Sequence, residues 1–228
     1  MIEEEDENVN HNQIKIVICG DVKVGKTCLL ARFTDKDFLE NPLSTSSDFI
    51  QKKIERQNKT YELNIWDTAG QEKFQSLNKI FFKGAQIAIL VYDITNKFSF
   101  DRLKSFWYNE IITYSNVNTI IGIAGNKSDL YINEEVNEIN ARDYANSINA
   151  SFRLTSALEN KGIYDLFNET IDIFLGIIPK PNKKFNLPNT NMIQSFSLNK
   201  SKRRKKNNEI EENNKKKNNN NNSETKCC

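Results

Sequence analysis

One stretch constrains this chain more than any other: Gly20–Thr27, read as GDVKVGKT. It follows the β-branched run Ile14-Lys15-Ile16-Val17-Ile18 and leads into Cys28-Leu29-Leu30-Ala31-Arg32-Phe33. The order is strand, glycine-bounded loop, helix, with the G-x-x-x-x-G-K-[ST] spacing of a phosphate-binding loop. Gly20 and Gly25 let the backbone wrap closely around a polyphosphate. The N–H groups of Asp21, Val22, Lys23 and Val24, and those running on to Cys28, then point inward. The helix that opens at the loop's end aims its partial positive charge at the same anion. Lys26 can reach β- and γ-phosphates, and the Thr27 hydroxyl can ligate Mg²⁺.

A chain of 228 residues suits one well-buried domain and a tail. It contains no apolar run of the ~18 residues that read as a spanning helix. The acidic N-terminal stretch (Glu3, Glu4, Glu5, Asp6, Glu7) carries no apolar signal segment, so secretion is not expected. The cysteines are Cys19, Cys28, Cys227 and Cys228. They fit neither a zinc spacing nor a disulfide framework, and a reducing cytosol is the natural compartment. The net charge of +2 hides an asymmetry: residues 1–13 hold five acids and no Lys or Arg, and residues 180–228 hold thirteen Lys/Arg against four acids. A nearly neutral body with a basic tail suits an anionic surface.

Between residues 14 and 179, short β-rich runs alternate with helical patterns. Strands are expected at 14–19, 48–56, 60–66, 86–92, 119–125 and 151–155. Helices are expected at 26–34, near 72–80, and at 100–114, 137–149 and 161–175. This is an α/β pattern: a mostly parallel six-stranded sheet with helices on both faces. Gln57-Asn58-Lys59 reads as a hairpin turn, which makes one strand antiparallel. Ligands of such sheets sit beyond the carboxyl ends of the strands. From Pro179 onward Pro, Asn and Lys take over, with Lys202–Lys206, Lys215–Lys217 and Asn218–Asn222 as the densest runs. That composition cannot offset the entropy of ordering its backbone, so a disordered tail is expected over 180–228, with another over 1–13.

Three more motifs follow strand ends. In Trp66-Asp67-Thr68-Ala69-Gly70-Gln71-Glu72, Asp67 can hold Mg²⁺ through water, Gly70 can offer its N–H to a γ-phosphate, and Gln71 can orient an attacking water. In Asn126-Lys127-Ser128-Asp129 the Asp129 carboxylate can accept two hydrogen bonds from N1–H and N2–H₂ of guanine, a donor pair adenine lacks. The Lys127 stem can lie over the base, and Asn126 can tie this loop to the phosphate loop. Thr155-Ser156-Ala157 can supply a backbone N–H to guanine O6.

Together these motifs make residues 14–178 resemble a small GTPase of the Ras superfamily, and within it the Rab family. The Rab-like signs are WDTAGQEKF at 66–74, Phe81-Phe82-Lys83-Gly84-Ala85, Leu90-Val91-Tyr92-Asp93-Ile94-Thr95-Asn96, and the closing Cys227-Cys228. The resemblance implies a GTP/GDP switch with Mg²⁺, working as a monomer. Loops around 38–49 and 67–80 are drawn onto the γ-phosphate in the GTP state and relax after hydrolysis. It implies effectors meeting Pro42, Leu43, Ser44, Thr45, Ser46, Ser47, Asp48, Phe49 and Ile50. An exchange factor, an activating protein and prenylation and extraction factors are implied as further partners. It also implies geranylgeranyl groups on Cys227 and Cys228, and a cytosol-facing membrane location with a cytosolic pool, serving vesicle traffic.

The sequence departs from that family in three places. Ser44-Thr45-Ser46-Ser47-Asp48-Phe49 stands where Rabs carry Thr-Ile-Gly-Val-Asp-Phe; direct alignment gives Ser44 the Mg²⁺ position, and a one-residue shift gives it to Thr45. Val22 and Lys23 stand where family members carry Gly or Ser and Gly. A β-branched Val22 projects toward the space of Gln71, its water and an incoming arginine, which would slow hydrolysis. Leu158 replaces a Lys that usually covers the base. The alternatives are a GTP-loaded membrane scaffold that scarcely hydrolyses, a phosphotransferase, which the guanine-reading NKSD disfavours, and a nucleic-acid binder. The tail has no interleaved aromatics for base stacking, so no nucleic-acid partner is expected.

Overall fold

A computed structural model of the chain describes residues 12–35, 49–68 and 80–181. The first strand, β1 (Gln13–Cys19), shows how the sequence divides its core. Side chains alternate across a strand, so Ile14, Ile16 and Ile18 face one side, while Val17 and Cys19 face the other. The first side is closed by α1 (Lys26–Phe33), through Leu29, Leu30 and Phe33, and by the last helix, through Leu166, Phe167 and Ile171. Phe33 stacks on Phe167 at 3.9 Å between ring centroids. The other side is covered by Leu103, Trp107, Ile111, Ala141 and Ala145.

The remaining strands are β2 (Phe49–Arg56), β3 (Lys59–Asp67), β4 (Ile87–Asp93), β5 (Ile120–Asn126) and β6 (Ser151–Leu154). The sheet order is β2-β3-β1-β4-β5-β6, parallel except for the antiparallel β2–β3 pair. The expected α/β architecture is therefore the one found. β4 and β5 are buried at every position, as central strands under helices on both faces must be. β2 alternates exposed and half-buried residues and carries Lys52 and Lys53, as suits an edge strand. The chain leaves β1 toward β3 on one side and returns to β4 on the other. The crevice beyond Cys19 is thus the switch point where such sheets bind ligands, and the phosphate loop occupies it.

Two expectations need correction. The hairpin turn is Gln57-Asn58 alone, both at positive φ (49° and 61°), and Lys59 already pairs with Arg56. Two positive-φ residues match the twist of the flanking strands, and this places the turn a residue tighter than expected. The helix expected over 100–114 begins earlier, at Lys97, because the Asn96 side chain accepts the Ser99 N–H and caps it. It runs as α2 (Lys97–Arg102), a π-helical turn (Leu103–Trp107) and α3 (Tyr108–Tyr114). A 3₁₀ turn follows at Ser128–Asn133, then α4 (Glu138–Ser147) and α5 (Ile163–Phe174). The helix expected near 72–80 falls almost wholly outside the described residues. Among those described, no helix is long and apolar enough to cross a membrane.

Candidate functional site

The phosphate loop connects β1 to α1, and its glycines are required by what surrounds them. Gly20 has φ +151°, and a Cβ there would lie 2.1 Å from the Val91 carbonyl oxygen. Gly25 has φ +94°, and a Cβ there would lie 2.4 Å from Asn126 Nδ2. That amide occupies the space for a reason: it donates to the Val24 carbonyl at 2.8 Å. The expected tie between Asn126 and the loop is therefore present, and Asn126 Oδ1 in turn accepts from Thr155 Oγ1 at 3.1 Å. Lys26 is 4% exposed and donates to the carbonyls of Gly20 and Asp21, both at 2.9 Å. Its ammonium is thus held inside the loop's own curl. Asp21 reaches outward, to Trp107 Nε1 (2.8 Å) and Arg102 Nε (2.9 Å).

Thr27, in the first turn of α1, and Asp67, at the end of β3, meet directly: Thr27 Oγ1 donates to Asp67 Oδ2 at 2.7 Å, and Asp67 is fully buried. A hydroxyl and one carboxylate are hard oxygen donors. They fit a Mg²⁺ site that draws its other ligands from phosphate and water. The described residues contain no cluster of three or more His, Cys, Asp or Glu able to hold a metal. Cys19, beneath the loop, is buried, and burial pushes its thiol up to about 12, so it stays protonated and inert. Cys28 is half-buried on α1 and packs against the core.

The base end is assembled from the ends of β5 and β6. Ser156 Oγ accepts the Glu159 N–H at 3.0 Å and gives its own hydrogen to Asp129 Oδ1 at 2.5 Å. Lys127 sits in the left-handed region (φ 65°), with its Nζ 2.6 Å from Asp93 Oδ2. The Ala157 and Leu158 carbonyls accept from Arg32 of α1 at 2.9 and 3.3 Å. Gly20–Cys28, Asp67, Asn126, Lys127, Asp129, Ser156 and Ala157 thus line one rim of the sheet. Gly70, Gln71, Pro42–Asp48, Cys227 and Cys228 lie outside the described residues.

A family model described as the Ras family matches residues 15–175. Ras-related protein Rab-22A of Homo sapiens is 40% identical over 158 residues, which cover 69% of this chain and 81% of that protein. Ras-related protein Rab-11C of Dictyostelium discoideum is 42% identical over 162 residues, covering 70% and 72%. The chain also resembles GTP-binding protein YPTM2 of Zea mays, at 40% over 154 residues, covering 67% and 75%. It belongs to the Ras family of small GTPases, in the Rab branch.

In this Rab-family chain the unusual Lys23 has a measurable consequence. It holds φ 64°, the left-handed region that favours glycine. An L-residue there costs about 1–2 kcal/mol, and glycine gives back about 0.5–1 through its freer unfolded chain. Lys23→Gly is expected to raise the unfolding midpoint by roughly 2 °C, measured by calorimetry with saturating GDP. An unchanged or lower midpoint would mean Lys23 makes a compensating contact.

Several residues that shape the rim were not singled out from sequence. Asp93, at the carboxyl end of β4, could have been found by the strand-end rule that located Asp67 and Asp129. Arg32, Arg102 and Trp107 carry no such signal. Phe49 is 4.8 Å from Trp66, and Trp66 is 5.7 Å from Phe81, between ring centroids. With Lys15 Nζ 5.6 Å above the Trp66 ring, they form an aromatic surface at the start of β2, where the expected effector stretch ends. Ile50, the next residue, turns inward against the core.

Proposed function

We propose that this chain is a GTP/GDP switch that hydrolyses GTP and recruits effectors at a cytosol-facing membrane in vesicle traffic. The observation that carries this reading is the convergence of a phosphate loop, a Thr27–Asp67 oxygen pair and an Asp129–Ser156 base reader on one edge of the sheet. Lys26 and the loop N–H groups hold the phosphates and stabilise charge that develops on them. Thr27, Asp67 through water, and Ser44 or Thr45 would hold Mg²⁺. Mg²⁺ bound there would neutralise charge on β- and γ-phosphate oxygens. Gln71 places the water, and Gly70 meets the γ-phosphate.

Effectors engage Pro42–Ile50 together with the Phe49–Trp66–Phe81 surface. An exchange factor and an activating protein set the nucleotide state. Two geranylgeranyl groups on Cys227 and Cys228 supply the two anchoring signals stable attachment needs, and the basic residues of 180–228 add attraction to an anionic leaflet. The switch works as a monomer with a cytosolic pool held by an extraction factor.

Val22 favours a slow switch. Its side chain is 60% exposed, and a β-branched group there would stand in the way of an incoming arginine. The test is single-turnover GTP hydrolysis by the full chain beside Val22→Gly. A displaced reacting group can cost about 10²-fold, so the variant is expected to hydrolyse roughly 10- to 10²-fold faster. Equal rates would make Val22 harmless and leave an ordinary switch. GTP that neither chain converts would favour the scaffold reading.

A further inference from the structure

We propose that Arg102 and Trp107 are positioning residues for the nucleotide phosphates, acting through Asp21 to hold the first turn of the phosphate loop. This rests on the functional reading above and adds two residues outside every motif of the site.

The loop's two halves are fixed differently. Its second half is tied down by Asn126 at the Val24 carbonyl. Its first half contains the strained Lys23 and the exposed Val22. Strained backbone persists only where its surroundings over-determine it. Here the surroundings are the Asp21 carboxylate: Oδ1 accepts from the Trp107 indole at 2.8 Å and pairs with Arg102 Nε at 2.9 Å. Trp107 is buried in the core beneath β4 and β5, so its N–H is a fixed point. Arg102 is steered by Phe106 and Phe98, whose ring centroids lie 5.0 and 6.0 Å from its guanidinium carbon.

The π-helical turn makes this arrangement possible. Arg102 and Trp107 are five residues apart, and in an α-helix they would point about 140° away from each other. A π turn bonds i to i+5, which brings residues at that spacing onto one face. The turn at Leu103–Trp107 therefore brings the Trp107 N–H and the Arg102 guanidinium to the same oxygen, the first as a hydrogen-bond donor and the second as an ion-pair partner. Charge gives a second reason for the pair. Asp21 is an anion inside a loop built to receive polyphosphate, and Arg102 offsets that repulsion. The same peptide is gripped from inside, because Lys26 donates to the Asp21 carbonyl. Movement of Asp21 would thus move the lysine that holds the phosphates.

The test is release of a fluorescent GDP analogue from the full chain. Trp107→Phe and Arg102→Met are each expected to speed release about tenfold, with Arg102→Lys staying within about threefold of the unmodified chain. In an Asp21→Ala background, Trp107→Phe should add less than about twofold, because its route to the loop is already cut. Ile111→Val, in the same helical segment and core but without a bond to Asp21, should lower the unfolding midpoint and leave release unchanged. Unchanged release in Trp107→Phe and Arg102→Met would overturn the proposal. So would a full Trp107→Phe effect without Asp21, or equal acceleration by Ile111→Val. If the unmodified chain retains no guanine nucleotide, the functional reading fails and takes this one with it. If it retains GDP and the variants do too, only this one fails.

Discussion

Asp129→Asn is expected to turn the base preference of the site from guanine toward xanthine. The reason lies in a neighbour. Ser156 Oγ accepts the Glu159 N–H, so its hydrogen is committed to Asp129 Oδ1. An asparagine at 129 must then keep its oxygen toward Ser156 and present its N–H₂ where the second carboxylate oxygen was. In the proposed base-reading arrangement guanine would offer its amino group at that position, so donor would meet donor. Xanthine offers a carbonyl there, so the pairing is restored. Losing a charge-assisted pair and opposing two donors removes about 3–6 kcal/mol, or roughly 10²–10⁴ in GDP affinity. Titrations with GDP and XDP should show the first fall and the second rise. Adding Ser156→Ala frees the amide to turn over and should blunt the switch. If Asp129→Asn binds GDP as the unmodified chain does, the base is not read by this carboxylate.

That side-chain logic was only partly legible beforehand, and the reason is physical. Gly20–Thr27 announced itself because close backbone approach leaves few residue types possible, and Gly20 and Gly25 prove to have no room for a Cβ. β4 and β5 were legible because strands covered on both faces are apolar throughout. Boundaries set by one side chain were not. Asn96 starts a helix three residues before the apolar pattern does, since a cap is a single hydrogen bond with no periodicity. The π turn was invisible for a related reason: an extra residue in one turn leaves Leu103, Trp107 and Ile111 on the core side, as an ordinary helix would. The partners of the site residues come from distant segments. Arg32 with Ala157, Lys127 with Asp93 and Asp21 with Trp107 are brought together by topology. Only Asp93 sits at a strand end, where position alone would have suggested it.

Lys26→Ala is expected to remove nucleotide binding almost entirely while leaving the sheet intact. Lys26 is nearly buried yet belongs to no core cluster; its ammonium bonds the Gly20 and Asp21 carbonyls, both at 2.9 Å. Truncation therefore has two effects at the loop. It deletes the cation that the proposed reading sets at the β- and γ-phosphates, and it removes the donor to those two carbonyls, so the curl of the loop relaxes. Charge-assisted bonds contribute about 1.5–3 kcal/mol each. Two or more lost together give a fall of at least ~10² in affinity. Linkage supplies a clean readout. Ligand at about 1,000 times its Kd stabilises a fold by about 4 kcal/mol, roughly a 10 °C rise in unfolding midpoint for a domain of this size. The unmodified chain should show that rise when GDP is added, and Lys26→Ala should show little or none. Lys26→Arg separates charge from shape, because a planar guanidinium cannot reproduce the compact ammonium inside the curl and should recover only part of the rise. A full rise in Lys26→Ala would mean that the loop N–H groups alone hold the phosphates.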